Sequence, residues 1–131
     1  LDLNVAMDSN NLRKTIEVFK GLKLKPRIPE PFDSLLDENK RKKWVEEKNA
    51  LVYTVISDNG LIQIDVFLVY PIDYQTLKKK SDSFDIQGAK ILVSSKSDLL
   101  KAKESIYPLR DKDIYDISQL KELLKNEKQA D

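Results

Sequence analysis

Two aspartates in strand-like segments are the residues of this 131-residue chain best placed to bind a metal ion. Asp65 interrupts the apolar stretch GLIQIDVFLVYP, and Asp2 lies in LDLNVA near the start of the chain. Because successive side chains of a strand point to opposite faces, Asp65 is predicted to face away from the apolar side of its strand. Two such acids on neighbouring strands could hold Mg²⁺, which takes carboxylate oxygens and keeps positions open for phosphate and water. A single aspartate on the second face of a strand is more often exposed to solvent or hydrogen-bonded to a neighbour than bound to a metal ion, and spacing alone does not decide between the two interpretations.

The composition restricts the chemistry that the chain can perform. It contains no histidine and no cysteine, which excludes Ser-His-Asp triads, thiol nucleophiles and the usual zinc ligands. The 23 basic and 22 acidic residues leave a net charge of +1, which gives no general reason to expect a nucleic-acid partner. No apolar run approaches the roughly 20 residues of a membrane span, and no signal peptide is visible. We therefore expect a cytoplasmic protein with no membrane partner, whose catalysis would depend on carboxylates, lysines, hydroxyls and a hard metal ion.

Further charges crowd the predicted start of the last helix. The charged residues there include Arg110, Lys112, Asp113 and Asp116. Acids at a helix N-terminus are favoured by the helix dipole. The spacing of Lys112 and Asp116 predicts an ion pair between successive helical turns. Lys103 lies on or beside the packed side of the preceding helix, so it could reach Asp113 or Asp116, or a phosphate.

Hydrophobic periodicity and turn residues predict the elements that position these side chains. The predicted strands cover residues 1–6, 51–57, 61–70 and a tight pair within 84–93. The predicted helices cover 9–21, a Trp-containing stretch within 33–50, 73–81, 97–107 and a last helix from 110. These strands and helices together predict an α/β (α+β) fold with a small mixed β-sheet flanked by helices. We expect one domain over residues 1–131, with a frayed tail at 126–131.

The order of these motifs resembles the nucleotidyltransferase superfamily, in particular small bacterial proteins that include toxin components of abortive-infection and toxin-antitoxin systems. In that family one strand carries an acid–hydrophobic–acid pair and a later strand carries a third acid. The C-terminal part carries an Asp-Leu-hydrophobic segment leading to a Lys, and then an Arg-x-Lys-Asp-x-x-Asp stretch. The matching positions here are Asp2, Asp65, Asp98 to Leu100 with Lys103, and Arg110, Lys112, Asp113 and Asp116.

The resemblance implies transfer of a nucleoside monophosphate from a nucleoside triphosphate to a hydroxyl of protein or RNA, with an antitoxin as a partner. It implies that Asp2 and Asp65 are catalytic and bind Mg²⁺ or Mn²⁺, and that Lys103, Lys112 and Arg110 contact the nucleotide or hold the C-terminal helices in place. A non-catalytic module of the same fold, which binds a partner protein or a nucleotide without turnover, is the alternative, because fold does not guarantee activity.

The beginning of the chain departs from the family pattern. The Gly-Ser or Gly-Gly signature of the family would lie upstream of Leu1, so we expect the domain to be N-terminally truncated. Asp2 then matches the second acid of the pair; in the other register it is the first acid, and Asn4 replaces the second. An uncovered sheet edge in such a chain favours self-association into a homo-oligomer.

Overall fold

The computed structural model describes residues 1–105 and 109–130, without the side chains of 128–130. Within these residues the chain is a mixed α+β structure with six helices, a four-stranded mixed sheet and a separate two-stranded sheet. It divides into two compact units, Leu1–Tyr70 and Pro71–Asp131. The mixed α+β class that the sequence predicts is therefore confirmed. No helix among the described residues is both long and apolar enough to cross a membrane.

The first unit is built around the four-stranded sheet. Its elements are β1 (Asp2–Leu3), α1 (Ser9–Gly21), β2 (Lys25–Pro26), α2 (Phe32–Leu35), α3 (Glu38–Lys48), β3 (Val52–Ile56) and β4 (Gln63–Phe67). The strand order is β1-β4-β3-β2, with β1 parallel to β4 and the other pairs antiparallel. The predicted strands at 51–57 and 61–70 are thus confirmed as β3 and β4, whose antiparallel hairpin forms the centre of the sheet.

Helix α1 has the boundaries that its sequence predicts, and one of its faces is buried. The Asp8 side chain accepts a hydrogen bond of 2.9 Å from the backbone N–H of Asn11, which satisfies one of the free donors at the helix start. Leu12, Ile16 and Phe19 recur at helical spacing, and all three are buried. This apolar stripe attaches α1 to the core.

The core lies on one face of the central hairpin. Tyr53 and Val55 of β3 and Ile64 and Val66 of β4 are buried together with the apolar side chains of the helices. Trp44 of α3 stacks on the Tyr53 ring with a centroid separation of 5.7 Å. The helices therefore cover this face of the sheet, and the alternate residues of β3 and β4 point to the opposite face.

The Trp-containing segment is two helices, where the sequence pattern predicts one. The Asp37 side chain accepts hydrogen bonds from the backbone N–H groups of Asn39 and Lys40, at 2.9 and 3.3 Å, and so begins helix α3. An internal N-cap of this kind ends one helical segment and starts another. The buried side chain of Trp44 attaches α3 to the core.

The second unit contains three helices and the two-stranded sheet. Its elements are α4 (Tyr74–Lys80), β5 (Asp82–Ile86), β6 (Ala89–Val93), α5 (Lys96–Glu104) and α6 (Asp111–Ala130). Helix α5 begins at Lys96, one residue before the predicted start at 97, because Ser95 is its N-cap. The predicted end of this helix at 106–107 and the last residue of the predicted frayed tail, 131, lie outside the described residues.

Strands β5 and β6 form the predicted tight pair around Gln87 and Gly88. Both turn residues have positive φ, 52° and 83°, which is the requirement of a two-residue type I′ turn and favours glycine at the second position. The register places Phe84 opposite Ile91. Five of the six residues on this face of the hairpin are apolar, the exception being Asp82, although all ten strand residues are exposed.

Candidate functional site

Asp2 and Asp65 lie at paired positions on adjacent parallel strands. The register places Asp2 opposite Asp65, and the next pair joins Leu3 and Val66. The Asp65 backbone N–H donates a hydrogen bond of 2.8 Å to the carbonyl oxygen of Leu1. Neighbouring strands are about 4.8 Å apart, and paired residues direct their side chains to the same face of the sheet. The two carboxylates therefore share one face at adjacent positions.

Strand alternation places Asp65 on the face opposite the core, as the sequence predicts. Ile64 and Val66 are buried, whereas Asp65 between them is only half-buried. Gln63, two residues earlier on the same face, is exposed. The carboxylate thus avoids the desolvation cost that an apolar core would impose on it.

Neighbouring polar side chains hold the Asp65 carboxylate by one of its two oxygens. The hydroxyl of Thr54, which is the cross-strand partner of Asp65, donates to Oδ1 at 2.5 Å. The Gln63 amide donates to the same oxygen at 3.4 Å. No donor among the described residues reaches Oδ2. This oxygen is therefore oriented by the bonds to Oδ1 and has lone pairs available for a cation.

The donor set fits Mg²⁺ or Mn²⁺. Carboxylate oxygens are the preferred ligands of these hard ions, and Mg²⁺ is commonly held by one or two carboxylates together with substrate phosphates and water. No group of three or more potential acidic ligands occurs within the part of the chain that the structure describes. An ion at Asp2 and Asp65 would thus take most of its ligands from water and from a phosphate-bearing substrate.

The basic residues predicted to contact a nucleotide lie in the second unit, where two of them bind carboxylates. Arg110 binds the fully buried Asp113 through Nε and Nη2, at 2.9 Å to Oδ2 and 3.2 Å to Oδ1. Lys103 of α5 places its Nζ 3.2 Å from Oδ2 of Asp116 and 4.0 Å from Oδ1 of Asp113. The Lys103 contacts join α5 to the first turns of α6, and the Arg110 contacts lie at the start of α6.

Lys112 is exposed, and the predicted ion pair between Lys112 and Asp116 is wrong. Asp116 is paired with Lys103 instead, because helix packing brings a cation from α5 close to it. Of the three proposed nucleotide contacts, Lys103 and Arg110 therefore have carboxylate partners, and Lys112 extends into solvent. A contact between these residues and phosphate stays a prediction.

The Asp113 contacts predict how stability depends on pH. Hydrogen bonds from the side chain and backbone of Arg110, with Lys103 nearby, lower the pKa of Asp113 to about 2. A lowered pKa means that this carboxylate stabilises the fold above its unfolded pKa of about 3.9 and that the contribution is lost as the pH falls toward about 2. We expect the melting temperature of the wild type to exceed that of Asp113→Asn at about pH 5, and the difference to shrink toward about pH 2, in thermal unfolding followed by circular dichroism. A difference that is constant over this range would contradict the prediction.

Asp98 is a buried acid whose position the sequence pattern does not predict. Its side chain is only 4% exposed, and its Oδ2 has no hydrogen-bond partner among the described residues. Ala102, one helical turn later, is also buried, so the two residues share the packed face of α5. The spacing of these two residues is the signal that would have placed Asp98 there.

Comparison of the chain with protein-family models, curated proteins and solved structures gave no match.

Proposed function

We propose that this protein is a Mg²⁺-dependent nucleotidyltransferase with a nucleotidyltransferase-like fold, which transfers a nucleoside monophosphate from a nucleoside triphosphate to a hydroxyl of protein or RNA. The observation that carries the proposal is the paired register of Asp2 and Asp65 on one sheet face, with Oδ2 of Asp65 left available. The order of the sequence motifs supports it. A role in a toxin-antitoxin system, with an antitoxin as partner, follows from the same resemblance.

The residues of this site have separable roles. Asp2 and Asp65 hold Mg²⁺ or Mn²⁺, which when bound neutralises charge on the α-phosphate and the leaving pyrophosphate. We assign to the Asp65 carboxylate a second role, in which it accepts the proton of the attacking hydroxyl as the hydroxyl oxygen bonds to the α-phosphorus and pyrophosphate leaves. Thr54 and Gln63 keep the carboxylate in one orientation through Oδ1. A fixed carboxylate needs less reorganisation during the reaction than a mobile one.

The second candidate is a non-catalytic module of the same fold that binds a nucleotide or a partner protein. The observation in its favour is that two acids, and no group of three, come together within residues 1–105 and 109–127. A site with fewer carboxylates binds metal more weakly, because each carboxylate contributes charge to the attraction. The two candidates differ in turnover, and only the nucleotide-binding form of the second candidate shares nucleotide binding with the first.

Incubation with α-labelled nucleoside triphosphates and Mg²⁺ tests the proposal. We expect label to be transferred to protein or to added RNA, with release of pyrophosphate, and transfer to stop when EDTA removes the metal. Retention of intact nucleotide without transfer would support the binding module and would contradict the enzyme. Label transfer that persists in EDTA would contradict the metal role of the two aspartates.

A further inference from the structure

Arg27 lies on the same sheet face as the two aspartates. Strand β2 pairs Lys25 with Ile56 and Pro26 with Val55, and the next position in this antiparallel register brings Arg27 opposite Thr54. The Arg27 backbone N–H donates to the Thr54 carbonyl oxygen at 3.0 Å, in agreement with that position. Thr54 is in turn opposite Asp65. One row across the sheet therefore runs from Asp2 through Asp65 and Thr54 to Arg27.

The side chain of Arg27 is directed along this face toward the carboxylates. Its Nη1 donates to Oε1 of Gln63 at 3.4 Å, and the Gln63 amide nitrogen donates to Oδ1 of Asp65 at 3.4 Å. A single amide group therefore lies between the guanidinium and the Asp65 carboxylate. Gln63 presents its acceptor to the cation and its donor to the anion, which holds both charged groups in place and keeps them separate.

Arg27 has no carboxylate partner among the described ion pairs, and its side chain is exposed. Lys25, two residues earlier on the same strand, differs because its Nζ lies 3.2 Å from Asp58. The guanidinium of Arg27 is thus the cation of this row that is available to a ligand. Its remaining N–H groups form a planar fork whose geometry matches two phosphate oxygens.

We propose that Arg27 binds the terminal phosphate groups of a nucleoside triphosphate whose α-phosphate lies at Asp2 and Asp65. This inference rests on the proposed function, and it adds the orientation of the substrate on the sheet. The triphosphate runs across the strands from the carboxylates of β1 and β4 toward the end of β2. The guanidinium at one end and a metal ion held by the carboxylates at the other place positive charge near both ends of the polyanion.

Calorimetric titration with inorganic tripolyphosphate tests this role without turnover. In the presence of Mg²⁺ we expect the dissociation constant of Arg27→Gln to be about ten-fold higher than that of the wild type, as loss of a charge-assisted contact predicts. Arg27→Lys should recover part of the affinity, because lysine keeps the charge and loses the fork. Arg13→Gln is the matched control, because Arg13 is an exposed arginine of helix α1, which packs on the other face of the sheet. Its affinity is expected to equal that of the wild type.

A separate measurement distinguishes failure of this inference from failure of the proposed function. Mn²⁺ binding without tripolyphosphate, followed by electron paramagnetic resonance, reports on the aspartates, and Arg27→Gln is expected to leave it unchanged. If the wild type binds no Mn²⁺, the metal site is refuted, and titration with tripolyphosphate alone still measures the contribution of Arg27. Affinity of Arg27→Gln within about two-fold of the wild type, or no binding of tripolyphosphate by the wild type, would overturn the role of Arg27.

Discussion

Replacement of Asp65 by asparagine is expected to raise the dissociation constant for Mn²⁺ by about 100-fold or more, since even residues that only support a metal ligand affect affinity by about 10- to 100-fold. Asparagine keeps the size of the side chain and can still accept the hydrogen bond from Thr54 at the Oδ1 position. It removes the negative charge that attracts the cation. Electron paramagnetic resonance of Mn²⁺ measures the free and bound ion directly.

The matched control for this experiment is Asp58→Asn. Asp58 lies in the exposed loop of the same hairpin, and its side chain pairs with Lys25 at 3.2 Å. Asp58→Asn changes the net charge by the same amount as Asp65→Asn, and it leaves the paired strand positions of Asp2 and Asp65 intact. Equal loss of Mn²⁺ affinity in both variants would show a general charge effect and would contradict a site at Asp65.

Replacement of Tyr53 by alanine is expected to lower the free energy of unfolding of the first unit by about 3–5 kcal/mol, the usual cost of removing a large buried aromatic ring. Tyr53 is fully buried and stacks on Trp44 at 5.7 Å. Its hydroxyl donates a hydrogen bond of 2.9 Å to the carbonyl oxygen of Glu30, which connects β3 to the proline-containing loop. Burial, with the nearby Glu30 carboxylate, raises the pKa of Tyr53 to about 12.

Tyr53→Phe separates the ring from the hydroxyl in the same experiment. It keeps the stacking with Trp44 and removes the donor to Glu30, so we expect a smaller loss of about 1–3 kcal/mol. Urea unfolding followed by the fluorescence of Trp44, the single tryptophan of the chain, measures both variants. Equal losses for alanine and phenylalanine would contradict the contribution of the ring to core packing.

The local features of the fold were predictable because they depend on neighbouring residues. The start of α1 follows from a side chain that can accept from the next turn, and the β5–β6 turn follows from residues that tolerate positive φ. The N-cap at Asp37 has the same chemistry. It was not predicted because an aspartate within a polar helical sequence is also compatible with continuation of the helix.

The register of Asp65 with Thr54 shows where local prediction ends. A hairpin was predictable from two apolar segments around Asn59-Gly60, but its register depends on how many residues the connection uses. In the structure the backbone N–H of Ser57 bonds the carbonyl oxygen of Ile62, and this connection brings Thr54 opposite Asp65. Neither Thr54 nor Arg27 could be assigned to the site before that register was known.

The C-terminal charges illustrate competition between local and tertiary contacts. Residues on successive helical turns are always close, so the spacing of Lys112 and Asp116 predicts a pair. An exposed pair of this kind contributes only a few tenths of a kcal/mol. The packing of α5 against α6 places Lys103 at Asp116 instead, and this arrangement depends on the whole interface between the two helices.

The sequence by itself determined which face of its strand carries Asp65, because side-chain alternation is a property of every extended chain. It did not determine that Asp2 would be the neighbour of Asp65. These residues are separated by 63 positions in the sequence. Their strands are not connected by a short turn that could set the register. Only the tertiary structure decided that pairing, because parallel strand contacts form through collapse of the whole sheet and not through local backbone preference.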